Sequence, residues 1–195
     1  MALSKLTIRD VPLDNRTVLV RSDFDGLFGV DGSLTISRIE SEILPTIRHL
    51  LSRGCKVVIV GHVGKENNTK MPSFESAARA MANSLATTIR FADILTHDRV
   101  YQIVKRAPNN SVIVLENLGF VQKNADDFAN FAKKLIASTG ARYFVQDAPR
   151  AVHKDQPTTR AITMFIPSVA GFLLEKSKDL PEHLPGIDGL LDVKL

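Results

Sequence analysis

Ten residues of this chain carry side chains suited to chemistry on a small anion: Arg21, Asp23, Asp25, Arg38, His62, Lys65, Asn117, Asp147, His153 and Lys154. Arginine offers a planar fork that matches a carboxylate or phosphate, and lysine offers a point charge. Arg21, Arg38, Lys65 and Lys154 together make a cationic cup for such an anion. An unperturbed imidazole titrates near neutrality, so His62 is a candidate general acid or base, and with no partner visible in sequence it reads first as a hydrogen-bond donor. Asp23 and Asp25 alone are weak evidence for a metal, because no third oxygen ligand stands at a fixed spacing. DFDGLFGVDG resembles a calcium loop, but the EF-hand spacing and terminal Glu are missing. Cys55 opens an apolar run and reads as a core thiol.

These residues are brought together by the elements that precede them. TVLVRSDF (17–24), KVVIVGH (56–62), SVIVLEN (111–117) and ARYFVQD (141–147) are apolar runs ending in polar residues. Continuous Val/Ile/Leu runs of this length are strands of a parallel sheet buried on both faces. In such sheets ligands bind beyond the carboxyl ends of the strands. Asp23, His62, Asn117 and Asp147 therefore line one edge. A strand has to end somewhere, and any one of these residues alone reads as an ordinary turn or cap. Four such ends with loop cations beside them read as a site.

Helical segments alternate with the strands. Residues 37–53 place Ile39, Ile43, Ile47, Leu50 and Leu51 on one face. Ser37 and Glu40 have capping-box spacing, Gly54 stops the helix, and Pro45 should kink or loosen it. Arg38 sits in the first turn, where the helix dipole favours an anion and disfavours a structural cation. Helices are also expected over 73–86 with Ser73 as cap, over 98–106, over 124–140 with Asn124 as cap and Gly140 as stop, and after Pro167 with Ser168 as cap. TTIRFAD (87–93) is a short strand, while 63–73 and 148–160 read as polar loops at the carboxyl edge. The expected fold is a three-layer αβα sandwich: a Rossmann-like parallel sheet of about six strands with helices on both faces.

Composition narrows the class. The chain has 195 residues, 44% hydrophobic and 24% charged, with a formal charge of +4 and no Trp. That is ordinary for one globular domain with an appendage. No basic run is dense enough for nucleic acid, and no apolar run is long enough for a membrane span. One cysteine and a polar N-terminus without an apolar signal core fit a reducing compartment, so a cytoplasmic location is expected. There is no P-loop, and no GxGxxG opens a helix after a strand.

Read together, SKLTIRDV, TVLVRSDFD, SRIESEILPTIRHLLSRG, VVIVGHVGK, IVLENLGF, VQDAPRAVHK and IPSVAGFLLEK resemble the N-terminal domain of phosphoglycerate kinase. They occur in family order over residues 4–178. The resemblance implies an N-terminal domain (1–178) that binds 3-phosphoglycerate on a basic patch. EHLPGIDGLL resembles the family's C-terminus, so a tail (179–195) is expected to pack back on that domain. The family's nucleotide domain has no counterpart here. Mg-ATP or Mg-ADP is then bound only if that domain is supplied in trans, and this chain alone holds no cofactor and no metal.

By resemblance, substrate contacts are expected at Arg21, Asp23, Phe24, Asp25, Arg38, His62, Val63, Gly64, Lys65, Gly119, His153 and Lys154, with Arg38 also catalytic. Asp23 and Arg38 face the carboxyl and hydroxyl end of the substrate, and Arg38 steadies the transferring phosphoryl group. Departures are marked. Asp25 replaces Asn, Lys65 and Lys154 replace Arg, and Gly119 replaces Arg. Gln146, Pro149 and Arg150 replace Asn, Phe and Gly. A charge-assisted hydrogen bond contributes about 1.5–3 kcal/mol, so these losses imply phosphate binding weaker by roughly two to four powers of ten. Arg150 or Lys123 is the candidate cation to compensate, and sequence does not give the direction of either side chain. The expected function is a substrate-domain remnant that binds a phosphorylated three-carbon acid weakly and is not catalytic alone. The alternatives are a half-enzyme completed in trans, or an interaction module whose free face meets a protein partner or a second copy.

Overall fold

The computed structural model describes residues 6–29, 31–63, 71–93, 96–122, 127–152 and 157–177. Six strands form one sheet: β1 (Thr17–Ser22), β2 (Lys56–Val60), β3 (Ile89–Ala92), β4 (Ser111–Leu115), β5 (Tyr143–Asp147) and β6 (Ser168–Ala170). Their order is β3-β4-β2-β1-β5-β6, and every pair is parallel. Both faces are covered, as the unbroken apolar runs require. Side chains alternate across each strand: Val18 and Val20 join one core with Ile39, Ile47, Val57 and Phe74, while Leu19 joins the other with Val58, Val100, Leu135 and Phe144. This is the three-layer αβα, Rossmann-like arrangement read from the sequence.

The connection after β1 runs over one face and those around β5 over the other. The first face carries α1 (Ile36–Arg38), a π-helical turn (Ile39–Ile43), α2 (Leu44–Ser52) and α3 (Glu75–Ser84). The second carries α4 (His97–Arg106), α6 (Phe128–Thr139) and α8 (Pro157–Thr163), with α5 (Gly119–Gln122) and α7 (Pro149–Val152) as short turns at the carboxyl edge. The last element among the described residues is α9 (Phe172–Lys176). The gap between β1 and β5 is the crevice where connections leave to opposite faces, which is where α/β sheets place ligands.

Several local features differ from the sequence reading. The helix expected over 37–53 begins at Ile36, and its cap residue Thr35 makes no side-chain bond, so the Ser37/Glu40 box does not form. Ser37 lies inside the helix instead, its carbonyl accepting from Ser41 Oγ at 2.9 Å. Pro45 has no N–H to give the carbonyl four residues earlier. The turn ahead of it widens accordingly, and the Leu44 N–H reaches back to the Ile39 carbonyl. Gly54, at φ +71, ends α2. Asp127 caps α6, its Oδ1 accepting from the Asn130 N–H at 2.9 Å; the expected cap Asn124 lies outside the described residues. Ser168 opens β6 and not a helix, because the edge of β5 is there to pair with it. Residues 148–160, read as loop, contain α7 and the start of α8. The expected tail 179–195 lies outside the described residues.

Two positions hold the carboxyl edge in register. Gly61 has no Cβ, and a methyl there would overlap the Phe24 ring, which stacks on Phe74 at 4.0 Å between centroids. Asp147, 2% exposed, caps α9: its Oδ1 accepts from Leu173 N–H at 2.8 Å and Leu174 N–H at 3.1 Å. Burial pushes its carboxyl up to about 6, against the pull of Thr46 and those two amides.

Two outcomes follow from this packing. Gly61→Ala should destabilise the fold by about 1–3 kcal/mol, read from the urea midpoint, because the two stacked rings have no room to retreat. A midpoint within error of wild type would contradict the close packing. The folded state binds a proton on Asp147 more tightly than the unfolded chain does, so this group's contribution to stability is fully present below about pH 4 and is lost as pH rises through about 6. Asp147→Asn should remove that contribution, worth roughly 3 kcal/mol, from thermal melts across this window. An unchanged slope would contradict the buried carboxyl.

Candidate functional site

The site begins with Asp23, the residue that follows β1 into the crevice. It is 1% exposed, so its carboxylate must be satisfied by the protein itself. Oδ1 accepts from the Asp25 N–H at 3.1 Å and Oδ2 from the Arg150 N–H at 3.1 Å. The Arg150 guanidinium adds an ion pair at 3.2 Å. Burial raises the Asp23 pKa, and Arg150 opposes the rise. Two residues earlier, within β1, Arg21 is 7% exposed; burial draws it down to about 10, while Asp23 and Asp25 favour its charge. Arg21 is therefore still a cation at neutral pH.

Arg38 and Arg150 converge on one glutamate. Glu42, in the π-helical turn, takes Arg38 Nε at 3.0 Å on Oε1 and Arg38 Nη2 at 3.2 Å on Oε2. From the other side it takes Arg150 Nη1 at 2.9 Å on Oε2, and Arg150 Nη2 at 3.1 Å on Oε1 and 3.0 Å on Oε2. Burial would raise the Glu42 pKa, but the two guanidinium groups outweigh it and hold it low. The remaining Arg38 nitrogen, Nη1, donates to the Gly26 carbonyl at 2.8 Å. Gly26 has φ +75, and a Cβ there would collide with that guanidinium. Glycine is thus required both by backbone and by space.

A second cluster occupies the ends of β2 and β4. Asn117 is fully buried and works as a strut: its Oδ1 accepts from Val63 N–H at 3.2 Å and Gly119 N–H at 3.0 Å, and its Nδ2 donates to the carbonyls of Val63 at 2.9 Å and Pro72 at 3.0 Å. Glu116 accepts from the Phe74 N–H at 2.9 Å and from Ser73 Oγ at 2.7 Å. These two residues fix both flanks of the segment between Val63 and Met71. His62 stands beside Gly119. A Cβ on Gly119 would lie 2.7 Å from Met71 Sδ, 3.1 Å from Asn117 Oδ1 and 3.2 Å from His62 Cδ2.

The structure gathers Arg21, Asp23, Asp25 and Arg38 around the end of β1, and His62, Val63 and Gly119 around the ends of β2 and β4. Phe24 lies between the two groups, but its ring is buried in the core at 1% exposure. Gly64, Lys65, His153 and Lys154, and the compensating candidate Lys123, lie outside the described residues. Glu42 was not singled out from sequence, and Arg150 was named only as a compensating cation, without its partners. Glu42 stands four residues after Arg38, the helical ion-pair spacing that signals it. The Arg150–Glu42 contact spans 108 residues, and no local pattern announces it. Among the described residues, no group of three or more His, Cys, Asp or Glu side chains is arranged to hold a metal ion, and no helix is long and apolar enough to cross a membrane.

Comparison with known proteins fits this geometry. The phosphoglycerate kinase family model matches residues 8–184. The phosphoglycerate kinase of Coprothermobacter proteolyticus is 35% identical over 172 residues, 87% of this chain and 43% of that protein. That of Fervidobacterium nodosum is 34% identical over 176 residues, again 43% of its length. The crystal structure of phosphoglycerate kinase from Pyrococcus horikoshii superimposes with a TM-score of 0.73 at 28% identity, covering 88% of this chain and 43% of that one. The chain thus spans less than half the length of these relatives. Over that span its sequence and its fold agree: the chain belongs to the phosphoglycerate kinase family.

Proposed function

We propose that the carboxyl edge of this sheet is an acid-substrate site of the phosphoglycerate kinase type, that it binds a phosphorylated three-carbon acid weakly, and that these 195 residues alone transfer no phosphoryl group. The observation that carries this reading is the placement of Arg21, Asp23, Arg38 and His62 at the ends of β1 and β2 and in the first turn after them, in a chain of that family. Arg38 meets the carboxyl end of the acid, where the phosphoryl group is transferred, from the helix start. Asp23 meets its hydroxyl. His62 donates a hydrogen bond from the neighbouring strand end.

Weakness follows from the groups now present. Asp25 adds a negative charge beside Asp23 where a carboxylate ligand approaches. Position 119 carries no cation, and Met71 fills the space a longer side chain would enter. Phosphoryl transfer also requires a nucleotide and metal held in line with the acceptor. Among the described residues, no group of three or more His, Cys, Asp or Glu side chains is arranged for that metal.

Two measurements check the proposal. Purified chain with Mg-ATP and 3-phosphoglycerate in a coupled assay should show no turnover; a rate rising in proportion to the chain's concentration would refute the non-catalytic part. Calorimetry should give 3-phosphoglycerate a Kd in the millimolar range, about 4 kcal/mol of binding. The double variant Gly119→Arg, Asp25→Asn should tighten it at least about tenfold, since one charge-assisted bond is gained and one repulsion removed. Met71 can yield to the new arginine, because its unbranched thioether side chain has several rotatable bonds. No gain in a folded double variant would show that these two positions do not set the affinity.

A further inference from the structure

A carboxylate held by two arginine forks is the arrangement a bound anionic ligand would show, yet here the carboxylate belongs to the chain. Glu42 accepts five hydrogen bonds from four guanidinium nitrogens, two bonds from Arg38 and three from Arg150. Its side chain is 18% exposed, and those of Arg38 and Arg150 are 27% and 40% exposed, so the cluster opens to solvent on the arginine side. Take the glutamate away, and two guanidinium groups anchored from opposite elements face each other. Arg38 stays tied to the Gly26 carbonyl at 2.8 Å and Arg150 to Asp23 at 3.2 Å. Two fixed cations at that spacing repel each other and call for an anion with oxygens to match both forks.

We propose that Arg38 and Arg150 form a two-arginine clamp for a phosphate or carboxylate group, and that Glu42 fills this clamp in the ligand-free chain as a built-in competitor. This rests on the reading of the carboxyl edge as an acid-substrate site, and it adds Arg150 to that site as an anion-binding residue and Glu42 as the group that weakens it. The backbone explains why Glu42 can do this. The π-helical turn at Ile39–Ile43 carries Glu42 on the same side as Arg38 and aims it across the crevice at α7. An incoming anion has to replace a pre-paired carboxylate, so its net gain is only the difference between two similar sets of hydrogen bonds. The competitor is always present at fixed position, which lowers the affinity for every anion without changing which anions fit.

The test is a titration of wild type, Glu42→Gln and the double variant Glu42→Gln, Arg150→Ala with inorganic phosphate and with 3-phosphoglycerate, at low ionic strength so that the arginine contacts are not screened. Glu42→Gln keeps the side-chain shape and removes the charge. It should tighten both probes at least about tenfold, the worth of one charge-assisted pair. The double variant should lose that gain. Unchanged or weaker binding by folded Glu42→Gln overturns the clamp; if wild type then still prefers 3-phosphoglycerate to phosphate, the acid-substrate reading survives. A gain for phosphate with no preference for 3-phosphoglycerate in any form supports the clamp and sinks that reading. Binding of neither probe by any form overturns both. If Glu42→Gln does not fold by circular dichroism, Arg150→Ala alone decides: the clamp predicts weaker phosphate binding than wild type, and tighter binding would show that Arg150 is a plug and not a ligand.

Discussion

A buried carboxylate in the crevice between β1 and β5 organises this end of the molecule. Asp23 is 1% exposed, and an ion so placed is tolerated only if the protein supplies its hydrogen bonds. The Asp25 and Arg150 backbone amides and the Arg150 guanidinium do so. That requirement draws α7 across the crevice onto the end of β1. Once Arg150 is there, its second face meets Glu42, and Glu42 in turn holds Arg38. The four charged groups balance as two cations and two anions. No member of such a set can be judged alone, since removing one leaves the others with uncompensated charge.

The polar strand ends divide by task once their partners are known. Asn117 and Asp147 are both fully or nearly fully buried, and their bonds go to backbone amides and carbonyls of the loops beside them. They brace the edge and cap α9. Asp23 braces the edge too, but shares its partner Arg150 with the charged cluster. His62 is half-buried beside Gly119, on the side where the phosphate-holding end is expected. A parallel sheet with this topology gathers polar residues at one edge whatever their function. In the proposed site, the charges that the backbone does not need are those of the arginines around Glu42.

The four long strands were legible because burial on both faces leaves them no polar position to interrupt the run, as Leu19 and Val20 show by entering opposite cores. Helix faces were legible for the same reason, through Ile39, Ile43, Ile47 and Leu50. Features that depend on a partner far along the chain were not. β6 is three residues long and is a strand only because β5 pairs with it. The cap of α6 moved to Asp127, a choice among nearby acceptors that spacing alone does not rank. The π-helical turn reflects Pro45, whose effect the sequence announces without its form. In the site, the retained residues Asp23 and Arg38 could be named from motifs, whereas their engagement by Arg150 and Glu42 needed the fold.

Arg38 and Arg150, the arginines at the acid end, are occupied by the chain's own carboxylates before any ligand arrives. Arginine side-chain NMR on the ligand-free protein at neutral pH tests this most directly, because a guanidinium locked in a two-pronged ion pair rotates slowly and shows separate Nη–H signals. Slow rotation at both Arg38 and Arg150, lost together in Glu42→Gln, is the predicted result. Freely averaging signals at both residues in the wild-type chain would contradict it.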